Sequence, residues 1–277
     1  MTSIEYRTFS GCSSLTSVTI PNSVTSIGES AFNGCENLTS IELPATVTSI
    51  GKWGFQYCKA LTNVEIPNSV TFIGEAAFEH SGIVNVSFPE GITEINAWMF
   101  NDCGKLETVT IPASVTSIGN NAFKDCPSLT SVTIPNSVTS IGSQAFYGCS
   151  GLTSIYVLNE TPASISSSSF SNYNATLHVP KGSLAAYQAA DYWKYFWRIK
   201  EFDPTGIEDI DADADAVTFE ITSGGIQLTA AEGKMVAVYS TNGALVEKID
   251  SYDGEEITLD KGAYILCVGG KSVKVKL

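Results

Sequence analysis

Histidine is almost missing from this sequence: His80 and His178 are the only two in 277 residues. Acid–base and nucleophilic catalysis recruits imidazole more often than any other side chain. No Ser/His/Asp arrangement can be assembled around these two, because the serines and threonines recur at fixed intervals and belong to the architecture. Basic residues are scarce, 15 lysines and arginines against 29 aspartates and glutamates, for a formal net charge of −14. A chain with no basic stripe is a poor ligand for nucleic acid and for anionic lipid. No apolar run approaches the roughly 18 residues of a membrane-spanning helix, so the chain is not expected to be an integral membrane protein. No Cys-x-x-Cys pair and no histidine column occur, which gives a zinc site little support. No glycine-rich phosphate loop follows a strand and opens a helix. Leader features are also missing: Met1 is followed by Thr2, Ser3 and a pattern already under way. The expectation is a mature fragment whose N-terminal part has been removed, so this absence does not argue for a cytosolic location. The sequence therefore predicts no catalytic residue, no metal ion and no cofactor.

What is present is ordered and periodic. Hydrophobic residues make up 43% of the chain, an ordinary globular value. The acidity is uneven, with 14 acids and 9 bases in residues 1–200 but 15 acids and 6 bases in residues 201–277. Phenylalanine falls at Phe9, Phe32, Phe55, Phe78, Phe100, Phe123, Phe146 and Phe170, at intervals of 23, 23, 23, 22, 23, 23 and 24. One unit reads Val24-x-x-Ile27-Gly28-x-x-Ala31-Phe32-x-x-Cys35-x-x-Leu38-x-x-Ile41-x-Leu43-Pro44. Its Leu-x-x-Ile-x-Leu end alternates as a strand does. Pro21, Pro44, Pro67, Pro89, Pro112 and Pro135 each close a strand, because proline brings no N–H to a ladder. Gly28, Gly51, Gly74, Gly119 and Gly142 mark a turn at the start of the return face. A single unit cannot bury its own apolar edge, whereas stacked units can. The fold class expected is a repeat solenoid of the leucine-rich type, mainly β with a short helical cap, followed by a small antiparallel β-sandwich.

The repeat resembles the BspA-like leucine-rich repeats of bacterial surface proteins, over about residues 4–202. The resemblance implies a curved solenoid with a parallel sheet on its concave side. It also implies a role in attachment to host proteins, matrix or other cells, without a catalytic site, and an extracellular or cell-surface location. Residues 1–202 form the expected solenoid, with a cap at about 175–202 that resembles the caps of other arrays in this family. Within the cap Leu177-His178-Val179-Pro180 reads as the last strand and Ser183 as a helix N-cap. Leu184, Tyr187, Trp193, Phe196 and Trp197 are expected to pack on the last repeat.

Cys12, Cys35, Cys58, Cys103, Cys126 and Cys149 share one repeat position, with Ser81 in their place in the shortened unit. Neighbouring units fall within disulfide range, but Ser81 splits the column into two groups of three, each of which would strand a thiol. The expected role is a small buried side chain with a weak S–H donor facing a turn.

Residues 203–216 form an acidic linker. Asp209, Asp211, Asp213 and Glu220 take positions 1, 3, 5 and 12 of an EF-hand-like loop. Ala214 stands where such a loop needs glycine, and flanking helices are not evident. Residues 217–277 read as seven short strands, with Asn242-Gly243 as a hairpin turn. The stretches Val238 to Val246, Leu259 to Ile265 and Gly270 to Val275 are similar to C-terminal sorting domains of type IX secretion cargo. That similarity implies export and surface display; the alternative is a stabilising terminal module.

Specificity in a repeat protein lies where exposed columns depart from their own consensus. The third residue after the repeat isoleucine is Ser30, Trp53, Ala76, Trp98, Asn121 or Gln144. Four of these are small or polar, so the column is expected to face solvent. Trp53 and Trp98 would then stand about 10 Å apart, two units along. Tyr57 and His80 fall in a nearby column beside the one-residue deletion. These four residues form the candidate binding patch, since exposed tryptophans are the usual material of binding hot spots. The hydroxyl-rich sheet face, with Thr16, Ser17, Thr19, Thr39, Ser40, Thr130, Ser131, Thr133 and Tyr156, is a second candidate. The function expected is a non-enzymatic surface or secreted protein that binds a host or matrix protein or another cell-surface protein. A glycan-binding module and a structural spacer displaying another domain remain open alternatives.

Overall fold

The computed structural model describes residues 2–202 without a break. Beyond them it describes Glu255, Leu259 and seven strands between 218 and 276. Two compact units result, Met1–Glu201 and Phe202–Leu277.

The first unit is a stack of coils, named here by their phenylalanines from Phe9 (first) to Phe170 (eighth). Each coil except the third, which makes only an isolated bridge from Asn63 to Ser40, contributes a short strand to a parallel face. Ser17–Thr19 pairs with Ser40–Glu42, Asn85–Ser87 with Thr108–Thr110, and Ser131–Ile134 with Ser154–Val157. A second parallel face is made by two-residue strands such as Ser26–Ile27, Ser49–Ile50 and Phe72–Ile73. Between the faces the chain turns at the prolines, whose carbonyls accept N–H bonds from Val24, Val47 and Val70 at 2.9 Å. The registers are one repeat apart throughout, as for Ile27 with Ile50, so like side chains stack on like. Phe32, Phe55, Phe78, Phe100, Phe123, Phe146 and Phe170 are fully buried and form a spine with Phe9. Successive rings stack at 5.1–5.7 Å. Each such pair adds about 0.5–1.5 kcal/mol beyond its area burial.

Coils are bonded to both neighbours by main-chain hydrogen bonds. On the strand faces the N–H points to either neighbour, to the preceding coil in Thr25 to Thr2 O (2.8 Å) and to the following one in Ile141 to Ser164 O (2.8 Å). On the third, turn face it points to the following coil, as in Phe9 to Ala31 O and Phe32 to Gly54 O, both 2.8 Å.

The conserved glycine of the unit is required by closeness, not by an unusual φ. A Cβ on Gly74 would lie 2.4 Å from Lys52 N, and one on Gly51 2.7 Å from Glu29 N, both main-chain atoms of the preceding coil. The fifth coil has Asn96 at this position, and its amide donates to Ile73 O at 2.6 Å.

The cysteines of the ladder are free, with Cys12 exposed and the other five buried. Each buried Sγ donates to the phenylalanine carbonyl of the preceding coil, from Cys35 to Phe9 O (3.1 Å) through Cys149 to Phe123 O (3.0 Å). Ser81 keeps the column polar and meets Cys103 Sγ at 3.4 Å. Burial pushes the thiols up, Cys35 to about 11 and Cys103 and Cys149 to about 12. A buried thiol held protonated is a poor nucleophile.

The cap contains strand Thr176–Pro180, helix Leu184–Ala189, a 3₁₀ turn at Trp193–Tyr195 and strand Arg198–Phe202. Trp193 and Phe196 end the phenylalanine spine, at 5.6 and 5.4 Å from Phe170. Their neighbour Tyr187 is buried too, and its hydroxyl donates to Asn159 O at 3.0 Å. Two sequence expectations are corrected here. Ser183 occupies the N-cap position, but its hydroxyl donates back to Pro180 O; the Glu201 carboxylate accepts the Gly182 and Leu184 N–H bonds instead. Trp197 does not pack on the last coil: it is 84% exposed, because the strand that begins at Arg198 turns its ring outward while Phe196 points in.

In the second unit, strands Thr218–Ile221, Gly225–Thr229 and Ile257–Thr258 make one antiparallel sheet. Leu245–Ile249, Val236–Ser240, Ala263–Val268 and Lys271–Lys276 make another. Ile226 and Leu228 on the first and Val236 and Val238 on the second are buried at alternating positions, as one-sided sheets require. The acidic linker 203–216 with its calcium-like spacing (Asp209, Asp211, Asp213) and the Asn242-Gly243 turn lie outside the described residues; so does the side chain of Glu220.

Candidate functional site

The turn face forces each of the first seven coils twice through left-handed backbone. Arg7, Ser30, Trp53, Ala76, Trp98, Asn121 and Gln144 form one column, with φ between 54° and 62°. Four residues further on, Gly11, Gly34, Tyr57, His80, Asp102, Asp125 and Gly148 form a second, with φ between 55° and 76°. A residue with a Cβ pays roughly 1–2 kcal/mol for this conformation. The repeat tolerates it because each such N–H bonds the following coil, as in Trp53 to Glu75 O (3.0 Å) and Tyr57 to Glu79 O (2.9 Å).

The expectation that the first column faces solvent is overturned for three members, since Ser30, Ala76 and Asn121 are buried. Small side chains at this φ tuck against the adjoining coils. Indoles do not fit, so Trp53 remains half-buried and Trp98 stays 37% exposed. The structure does not join the two tryptophans; buried Ala76 separates them. Tyr57 and His80 are brought together: their rings stack at 4.6 Å with 7° between planes. His80 Nδ1 in turn lies 2.8 Å from Asp102 Oδ2, so three consecutive members of the second column form one run.

Sequence reading missed the strip between the columns. Asn33 Nδ2 donates to Gln56 Oε1, Gln56 Nε2 to Glu79 Oε2, and Asn101 Nδ2 to Glu79 Oε1 at 2.8 Å, a side-chain relay across four coils. Its only sequence signal was a column of amides and one carboxylate. Phe72 was also missed. It is 53% exposed on the second strand face, where Ser26, Ser49, Ser117 and Ser140 hold the equivalent place. On the sheet face, many hydroxyls are occupied with architecture: Thr39 Oγ1 donates to Thr16 O at 3.1 Å, and Thr153 Oγ1 to Thr130 O at 3.2 Å. Tyr156 stacks on His178 there at 4.2 Å. Among the described residues no group of three or more His, Cys, Asp or Glu side chains could hold a metal ion. None of their helices is long and apolar enough to cross a membrane.

The family model for the BspA type leucine rich repeat region matches residues 2–130 and 116–180, in six copies. The chain belongs to the BspA type leucine-rich repeat family. Solved structures agree with this assignment. A leucine rich cell surface protein from Faecalibacterium prausnitzii A2-165 is 39% identical at a TM-score of 0.55, over 60% of this chain and 45% of that one. A leucine-rich repeat protein from Bacteroides ovatus ATCC 8483 is 28% identical at a TM-score of 0.56, over 73% of this chain and 55% of that one. The T. pallidum leucine rich repeat protein TpLRR is 32% identical at a TM-score of 0.51, over 55% and 72% of the two chains. The chain thus spans about half the length of the first two. No curated protein matches it.

Proposed function

We propose that this BspA-type repeat protein is a non-enzymatic binding protein of the bacterial cell surface, and that it engages another protein through the turn face of its third to fifth coils. One observation carries the reading. Trp53, Trp98, Tyr57 and His80 occupy columns whose other members are mostly small or polar, at a φ that penalises large side chains. The strained backbone alone says nothing, because the whole array shares it; the choice of aromatics there is what asks for an explanation. The F. prausnitzii relative is a cell surface protein, which supports the location. On this reading the C-terminal unit serves export and surface display.

The test is a binding screen of the purified chain against host matrix proteins and a glycan array, with the Trp53→Ser/Trp98→Asn double variant alongside. Ser30 and Asn121 already hold this column, so the variant keeps the fold. Saturable binding to a protein, lost in the folded variant, is the expected result. Binding confined to the glycan array would move the assignment to the glycan module. Binding undiminished in the variant would refute the patch.

A further inference from the structure

Charge is distributed along the repeat unit in a way that repeat architecture does not require. From residue 60 to residue 104 there are six acids, Glu65, Glu75, Glu79, Glu90, Glu94 and Asp102, and not one lysine or arginine. The exposed aromatics Phe72 and Trp98 fall inside this interval. A partner laid along this interval meets acids and no lysine or arginine of the interval itself, which favours a basic one.

The repeat also contains an internal template for how such a cation is held. In the third coil Lys52 Nζ lies 4.2 Å from the centre of the Trp53 ring and 2.9 Å from Glu75 Oε2. An ammonium is thereby placed between an indole face and a carboxylate. Lys52, Glu75 and Ala97 share one column, since their carbonyls accept the N–H bonds of Ser30, Trp53 and Ala76. The fifth coil therefore repeats the tryptophan, Trp98, with Ala97 in the place of the lysine and, in the coil after it, Asn120 in the place of Glu75. Among the described residues no cation lies over Trp98, while Trp53 has its own.

Building on the protein-binding reading above, we propose that the partner supplies the missing cation. A lysine or arginine of a basic segment stacks on Trp98, and the exposed acids of the fifth coil, Glu94 and Asp102, meet its charge. Trp98 is then the specificity-determining aromatic, and Trp53 is its self-occupied counterpart. A cation on an exposed aromatic contributes modestly and gains strength as the contact is desolvated. The surrounding acids act over distance and are screened by salt.

The test titrates the full-length protein with a basic dodecapeptide rich in arginine and lysine, and with the same peptide carrying glutamate at every basic position. Fluorescence or calorimetry reads the affinity. The expected result is binding of the basic peptide only, weakened about tenfold by Trp98→Asn and by about as much on raising salt from roughly 50 to 300 mM. Ala97→Lys returns a lysine to the place beside the indole, with Asn120 where the third-coil pair has Glu75; it should weaken peptide binding while circular dichroism and melting stay unchanged. Equal binding of the two peptides, or an Ala97→Lys variant of undiminished affinity, would overturn the cation assignment. If a matrix protein still loses binding in the Trp53→Ser/Trp98→Asn variant, the patch stands and only its charge preference falls. If neither peptide nor protein binding depends on these residues, both readings fall.

Discussion

Replacing Gly74 by alanine is the sharpest test of how the coils are held. The added methyl would sit 2.4 Å from Lys52 N and 2.8 Å from both Gly51 C and Lys52 Cα, all main-chain atoms with no rotamer to move. Ordinary contact needs about 1 Å more, so the third and fourth coils must part locally. Overpacking of this kind costs about 1–3 kcal/mol. The Gly74 N–H bond to Ile50 O (2.8 Å) and the Trp53 N–H bond to Glu75 O (3.0 Å) span the same seam, and weakening them adds up to about 1 kcal/mol each. The alanine recovers about 0.4–1 kcal/mol by restricting the unfolded chain. The net expectation is a loss of about 2–3 kcal/mol, or a fall in Tm of about 4–10 °C for a unit of this size. Gly104→Ala is the control, because its methyl would meet nothing within 4 Å; it should leave Tm unchanged or raise it slightly. All four tryptophans lie in the repeat unit, so the fluorescence melt reports on that unit alone. A Gly74→Ala melt within about 1 °C of the parent, or an equal fall for Gly104→Ala, would refute the argument that coil approach dictates the glycine.

Two further outcomes are expected. Native alkylation at pH 8 followed by peptide mapping should label Cys12 and spare Cys35, Cys58, Cys103, Cys126 and Cys149, whose thiols are buried and raised. Labelling of those five at the rate of Cys12 would show that the stack opens readily. In the cap, burial first and the Lys200 charge second hold His178 below its ordinary 6.5. The unfolded chain then takes up that proton more readily than the folded one. The contribution is thus complete above about pH 6.5 and is lost as pH falls through the window below it. Lys200→Met should raise the His178 value in an NMR titration and flatten this loss; an unmoved titration would remove Lys200 as a cause.

Much of the architecture was legible because a repeat writes its contacts into its period. A 23-residue spacing of Phe32, Phe55 and Phe78 predicts that like stacks on like, and the rings do stack. The cysteine column was read the same way, as small buried donors, and each buried Sγ found a carbonyl. Exposure was less legible. Ser30, Ala76 and Asn121 looked like a solvent column because they are small or polar, yet the backbone turns them inward. Trp197 looked like core because it is large and apolar, and it lies outside.

The sequence by itself determined the coil, its period and the spine, since each of these follows from which residue types recur. Only the tertiary structure decided what the surface columns are. The left-handed φ of Trp53, Tyr57, His80 and Trp98 is hidden in a sequence where serine, alanine, aspartate and glycine share their columns. The relay through Gln56 and Glu79, the Tyr57–His80–Asp102 run and the lysine over Trp53 come from side chains meeting across coils 22 or 23 residues apart. Spacing can say that such residues are neighbours. Which of them touch depends on side-chain direction, and that is settled only when one coil lies against the next.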